Sequence, residues 1–206
     1  MHHSALKLQL IGSSPEIKYC FIKLLEHYDT NEPIEKQVKV IAKDLGVTDR
    51  VVTSSLNYLK NNGYLTHEIM PLKKGFPRSR YSFHSKAFNT STKKGALLNP
   101  IHKALINNLL EPDIDGGSES TKNHPLKISN RLLLIVLLAN ADECGAVRRL
   151  GFSEISKLTG MRKDRFQSQL EKLKDLGYIR SHISGVTGSH LFGVVNGAYF
   201  LNLKHQ

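Results

Sequence analysis

Hydrophobic positions along this chain fall into two series with one layout, offset by 114 residues. The first runs Ile41, Ala42 and Leu45, then Gly46, then Val52, Leu56 and Leu59, then Gly63, Tyr64 and Leu65. The second runs Ile155, Gly160, then Phe166, Leu170 and Leu173, then Gly177, Tyr178 and Ile179. Apolar residues three and four apart predict one buried face of a helix. A glycine between two such stripes supplies the backbone freedom a tight turn needs. Each series therefore predicts a helix, a turn, a second helix, a glycine stop and a strand: a helix-turn-helix followed by a wing.

The flanking pattern fills in both units. Pro15 and Glu16 open a helix carrying Ile17, Cys20, Phe21, Leu24 and Leu25 at helical spacing, and residues 29–33 break it. A second helix is predicted over 34–45, with Val38, Ile41, Ala42 and Leu45 on one face. Thr48 is placed to cap the third helix through its hydroxyl, and Asn62-Gly63 to stop it. Strands over 64–69 and 81–84 flank a loop, 70–80, whose two prolines and glycine fit a hairpin connection. A short helix opened by Asn99-Pro100 and ending at Glu111 places Ile101, Ala104, Leu105 and Leu109 on one side. Residues 111–125, rich in Asp, Gly, Ser, Glu and Pro, read as a flexible linker.

The second unit begins with a helix over 129–142 and a short helix opened by Phe152-Ser153, with Ser153 as its cap. Gly160 makes the turn into a third helix over 163–176. Strands over 178–184 and 190–195 pair across Gly185 and Gly188, and Asn196-Gly197 is a hairpin signal leading into 198–203. The expected fold class is α+β, mostly α. Two winged helix-turn-helix domains, 1–96 and 127–206, are joined by a short helix and flexible linker over 97–126.

A length of 206 residues suits two small domains, and 40% apolar residues suffice for packed cores. The net charge of +11 is concentrated: residues 1–96 hold 15 Lys/Arg against 8 Asp/Glu, and 127–206 hold 12 against 6, whereas 97–126 hold 2 against 4. Cations gathered in the repeated units are the arrangement expected of two surfaces facing a polyanion. Cys20 and Cys144 lie in different units and no CxxC occurs, which argues for a reducing compartment and against a zinc site. The longest apolar run, 132–139, is far short of the roughly 20 residues a spanning helix requires, and no signal-peptide pattern opens the chain. A cytoplasmic, nucleoid-associated protein with no membrane partner is expected.

Candidate chemistry narrows to binding. The patterns of phosphate loops, zinc proteases, nucleophile elbows and calcium loops are missing. Ser91-Thr-Lys-Lys94 fits SxxK without its companion motifs, and His27, His67, His84 and His102 are scattered. No catalytic residue, cofactor or metal site is predicted. With Val52, Leu56 and Leu59 inward, the helical step turns Arg50, Ser54, Asn57 and Asn61 outward, with Thr53 beside them. Arg can bond guanine bidentately, Asn can bond adenine, and Ser and Thr reach either. In the second unit the matching face begins Arg162-Lys163-Asp164-Arg165, followed by Gln167 and Ser168. The first wing carries Lys73, Lys74, Arg78 and Arg80, suited to phosphate or minor-groove contact, with Arg78 and Arg80 as the groove candidates. The second wing offers His182, Thr187, Ser189 and His190.

The stretch from Leu45 to Leu65, Leu-Gly-Val-Thr-Asp-Arg-Val-Val-Thr-Ser-Ser-Leu-Asn-Tyr-Leu-Lys-Asn-Asn-Gly-Tyr-Leu, resembles the helix-turn-helix of bacterial winged-helix regulators of the GntR and MarR type. So does the aligned stretch from Thr159 to Ile179. The resemblance covers about 45 residues per unit and implies DNA-facing positions at Thr48, Asp49, Arg50, Thr53 and Ser54. In the second unit it implies Arg162, Lys163, Asp164, Gln167 and Ser168. The chain departs from those families in carrying two such units and no evident effector domain, and in placing Asp49 and Asp164 where a cation is common. The expectation is a sequence-specific double-stranded DNA-binding protein, most readily a transcriptional regulator. The alternatives are a replication initiator or partition protein and a winged-helix protein-interaction scaffold. The 100–110 helix and the second wing are candidate faces for a homodimer.

Overall fold

The computed structural model describes residues 3–70, 78–84, 102–111, 126–189, 193–195 and 197–204. About half of them are helical and the strands make small antiparallel sheets, an α+β fold. They gather into two compact units. One holds residues 3–8, 16–70, 78–84 and 111; the other holds 9–15, 102–110 and the described part of 126–204.

The first unit contains α1 (His3–Lys7), α2 (Pro15–His27), α3 (Val38–Leu45), α4 (Asp49–Asn61), β1 (Leu65–Met70) and β2 (Arg78–Phe83). The five-residue α1 has no periodic stripe and was not expected. It is held from outside itself, because the Lys18 amine donates to the carbonyl oxygens of Ala5 and Leu8 at its end. Burial of α2 exceeds the predicted stripe, taking in Lys18, Tyr19, Ile22 and Lys23 as well, while Ile17 is only half-buried. The Lys23 ammonium lies 5.7 Å from the centre of the Tyr19 ring. Burial also pushes the Cys20 thiol up to about 11, so it stays protonated and inert.

The second helix starts at Val38, four residues later than expected, because Ile34 is taken by a strand-like bridge. The Ile34 N–H donates to Tyr81 O at 2.8 Å and the Tyr81 N–H returns to Ile34 O at 3.0 Å. Gly46 then adopts φ 60°, ψ 41°, and Val47 N–H closes on Ala42 O at 3.0 Å. Thr48 Oγ1 accepts from Val51 N–H at 3.4 Å, a long but correctly placed cap for α4. The core side of α4 is Val52, Ser55, Leu56 and Leu59. Ser55 is tolerated there because its hydroxyl donates back to Val51 O at 2.7 Å. β1 and β2 pair from Leu65↔Phe83 out to Met70↔Arg78.

The second unit contains α5 (Lys103–Leu110), α6 (Ile128–Ala139), β3 (Ala146–Val147), α7 (Phe152–Thr159), α8 (Lys163–Asp175), β4 (Ile179–Ile183), β5 (Val186–Ser189), β6 (Gly193–Val195) and β7 (Ala198–Leu201). Because α6 is apolar all round, it becomes the hub: every residue from Ser129 to Ala139 is buried, and α5, α7 and α8 pack on it. The inner face of α5 is Ile106 and Leu110, with Leu105 and Leu109 half-buried and Ala104 exposed. This corrects the predicted face; paired apolar residues at 105–106 and 109–110 offer two stripes, and packing on α6 selects one. His102 is buried beside it, with Nε2 2.8 Å from Asp142 O. Gly151, not Ser153, precedes the first turn of α7, and no side chain caps that helix.

The second hairpin differs from its expected pairing. β4 pairs with β7, not with 190–195, and β3 adds to the far side of β7. β5 and β6 form a separate two-stranded extension, so Gly188 lies within a strand, and Gly197 lies against the backbone of Ile183 and Gly185. A Cβ on Gly197 would stand 2.9 Å from Ile183 O, which explains the glycine there. Asn196 and His190 lie outside the described residues.

Both units thus run helix, paired segment, helix, glycine turn, helix and hairpin. Ile34 bridges Tyr81 in one, and Val147 pairs Tyr199 in the other. Opposite each tyrosine stands a histidine whose ring stacks on it: His67 on Tyr81 at 4.7 Å and 13°, His182 on Tyr199 at 4.8 Å and 18°. The spacing differs by one residue because β4 carries a bulge between Ile179 and Ser181. Among the described residues no helix is long and apolar enough to cross a membrane.

Burial lowers the Lys18 amine to about 7. Folding at or below that pH carries the cost of a buried charge. Between about 7 and the unfolded value of 10.5 the unfolded chain holds a proton that the folded chain has released. Stability should therefore rise with pH across that window, by up to about 1.4 kcal/mol per unit. Urea titrations at pH 7 and pH 9 should show the rise, and Lys18→Met should flatten it. An unchanged slope in the variant would assign the effect to other groups.

Candidate nucleic-acid interface

In the first unit the α3–Gly46–α4 turn orients α4 so that its apolar stripe is spent on the core. What remains outward is Thr48, Arg50, Thr53, Ser54, Asn57 and Asn61, all exposed. Asp49 occupies the first turn of α4 and Lys60 its last, each complementing the helix dipole. That role accounts for an acid at a position where a cation is common. Asp164 does the same for α8, opposite Lys172 and Lys174.

The cations predicted for the first hairpin separate. Arg78 is exposed at the outer end of β2, opposite Met70. Arg80 is half-buried two rungs inward, opposite Glu68, with Nε 3.3 Å from Glu35 Oε1. It therefore braces the hairpin against an acidic neighbour, and only Arg78 keeps the outward placement expected of both. Lys73 and Lys74 lie outside the described residues. Behind α3, Asp44 receives Lys36 Nζ at 2.8 Å and the Tyr28 hydroxyl at 2.7 Å. Partial burial pushes this carboxyl upward, but those two hydrogen bonds outweigh it and hold it below the usual range.

In the second unit Arg162, Lys163, Gln167 and Ser168 are exposed along α8, while Phe166, Leu170 and Leu173 are buried. Arg165, expected outward, is half-buried and donates to Ser129 Oγ at 3.1 Å. Ser168 borders a shallow cleft shared with Lys127, Lys172, Glu171 and Asp175, a mixed-charge surface. In the hairpin His182 is held below its usual range by burial first and Lys174 second, so it is neutral at pH 7. Arg180, which was not among the expected hairpin contacts, sits at the bulge and donates to Leu201 O at 3.0 Å and Cys144 O at 3.4 Å. Arg180 is thus an exposed cation near the start of β4 whose guanidinium is engaged with backbone carbonyls.

Residues 9–15 of the second unit lie against its glycine turn. Ser13 N–H closes a turn on Leu10 O at 3.1 Å with Gly12 at φ 75°. Gly160 has φ 71°, and a Cβ there would stand 2.2 Å from Ser13 O. No sequence signal marked this contact, since Gly160 was already explained by its own turn. Among the described residues no group of three His, Cys, Asp or Glu could hold a metal ion. The chain matches no protein-family model and no relative among the curated proteins.

Glycine at 63 and at 160 should respond differently to a methyl group. Gly63 has φ 72° and open space around it, so Gly63→Ala should cost only the left-handed strain, about 1–2 kcal/mol. Gly160→Ala adds a backbone collision to the same strain and should cost more. Equal losses in urea denaturation would mean that the 9–15 segment yields freely.

Proposed function

We propose that this chain binds double-stranded DNA through two winged helix-turn-helix units and regulates transcription in the cytoplasm. The observation that supports this reading is the repeated division of labour on α4 and α8. In each, the apolar stripe is buried, and near the N-terminus the outward residues are polar side chains and cations with a single first-turn aspartate, Asp49 or Asp164. Such a helix fits a major groove, and Arg50, Ser54 and Asn57 can hydrogen-bond base edges. Exposed Arg78 and the sequence-adjacent Lys73 and Lys74 supply phosphate contacts, which position without reading sequence.

Binding should be steeply salt-dependent. If the cations neutralise about 6–10 phosphates, affinity should fall about 10³–10⁵-fold between 50 and 200 mM salt. Arg50→Ala should cost about 1–3 kcal/mol and relax base preference at one position, whereas Lys73→Ala should weaken all duplexes alike. Selection of duplex targets with purified protein, followed by anisotropy titrations, reads both. A shallow salt response, or identical behaviour of the two variants, would count against the reading.

A further inference from the structure

The permanent cation on the described part of the second unit's hairpin, Arg180, is exposed but engaged with the carbonyl oxygens of Leu201 and Cys144, and the unit has a cationic cleft elsewhere. The cleft, about 550 Å³, lies between the 9–15 segment and the α7–turn–α8 corner. Its cations are Lys157 from α7, Arg162 at the start of α8 and Arg165 one turn on, and none of its lining residues is acidic. Lys157 and Arg162 are exposed; Arg165 is fixed in direction by its bond to Ser129. Because no side chain caps α8, its first N–H groups add to the positive field at that edge. The segment itself is anchored at both ends and presented in the middle. Leu10 is 3% and Ser13 6% exposed, whereas Ile11 at the apex is 87% exposed. The collision that a Cβ on Gly160 would make with Ser13 O leaves the anchoring close and direct.

We infer that the Leu10–Ser13 turn is a DNA-contacting element of the second unit, and that the cleft behind it receives a backbone phosphate of the duplex met by α8. The inference rests on the DNA-binding reading above. It gives this unit a clamp beside its recognition helix, while the hairpin cation Arg180 is engaged with backbone carbonyls. A phosphodiester meets three cations there, one preorganised, with no carboxylate in the cleft lining, although Glu154 lines the neighbouring cleft that shares Gln9 and Lys157. The exposed apex lies against the sugar-phosphate edge.

The test is anisotropy on full-length protein with a selected duplex, across salt concentrations, with Lys157→Ala, Ile11→Asp and, as a charge-matched control, Lys103→Ala on the exposed side of α5. Lys157→Ala should reduce the slope of log K against log salt by about 1, equally for every sequence. Ile11→Asp, at a position that supports no core, should weaken binding about tenfold, and Lys103→Ala should leave the slope unchanged. If wild type and Arg50→Ala behave as proposed but Lys157→Ala and Ile11→Asp match the control, this inference alone is overturned. If wild type retains no duplex at low salt, the underlying reading falls first. Thermal stabilisation of wild type by inorganic pyrophosphate, lost in Lys157→Ala while duplex binding is untouched, would assign the cleft to a small phosphate and overturn the DNA contact.

Discussion

In each unit, antiparallel backbone pairing ties the hairpin to the chain segment ahead of the helix, glycine turn and helix: one isolated bridge in the first, a short ladder in the second. Ile34 and Tyr81 exchange both N–H···O contacts, and Val147 and Tyr199 are partners in the other half. Each pairing fixes where the following helix can begin, which is why α3 starts at Val38 and why β3 exists at all. It also holds the returning strand so that its tyrosine can stack on the histidine opposite. The orientation of α4 and α8 then follows from burial of their apolar stripes against this frame. Side chains proposed to meet DNA are outward because the frame leaves no other face open.

Much of that was legible in the residues. Both glycine turns, the cap at Thr48 and the buried stripe of α4 follow from local rules: positive φ, a hydroxyl before a helix and three-and-four spacing. The exposed Arg50, Ser54, Asn57, Lys163 and Gln167 follow from the same arithmetic. What escaped are features fixed by distant partners. Ile34 reads as helical until Tyr81 claims its backbone. The α5 face is ambiguous between two stripes until α6 selects Ile106 and Leu110. Arg80 and Arg165 read as free cations until Glu35 and Ser129 engage them. Lys18 counts as surface charge in any sum, yet it lies in the interior with a pKa near neutrality.

The units also differ in how they present charge. The first places the exposed Arg78 at the outer end of its hairpin, whereas the second places Lys157 and Arg162 around the turn that precedes α8 and holds Arg180 on backbone carbonyls. The proposed 9–15 contact belongs to this difference, since it lies on a segment that the first unit does not use in the same way.

The bulge beside Arg180 has a consequence for how the two halves are aligned. A uniform shift of 114 sets His182 against Glu68, a residue pointing to the opposite side of its strand from His67. Any chimera or transferred assignment that trusts numbering past that point inverts inside and outside along the remainder of the strand. Equivalence there must be taken from the tyrosine each histidine faces.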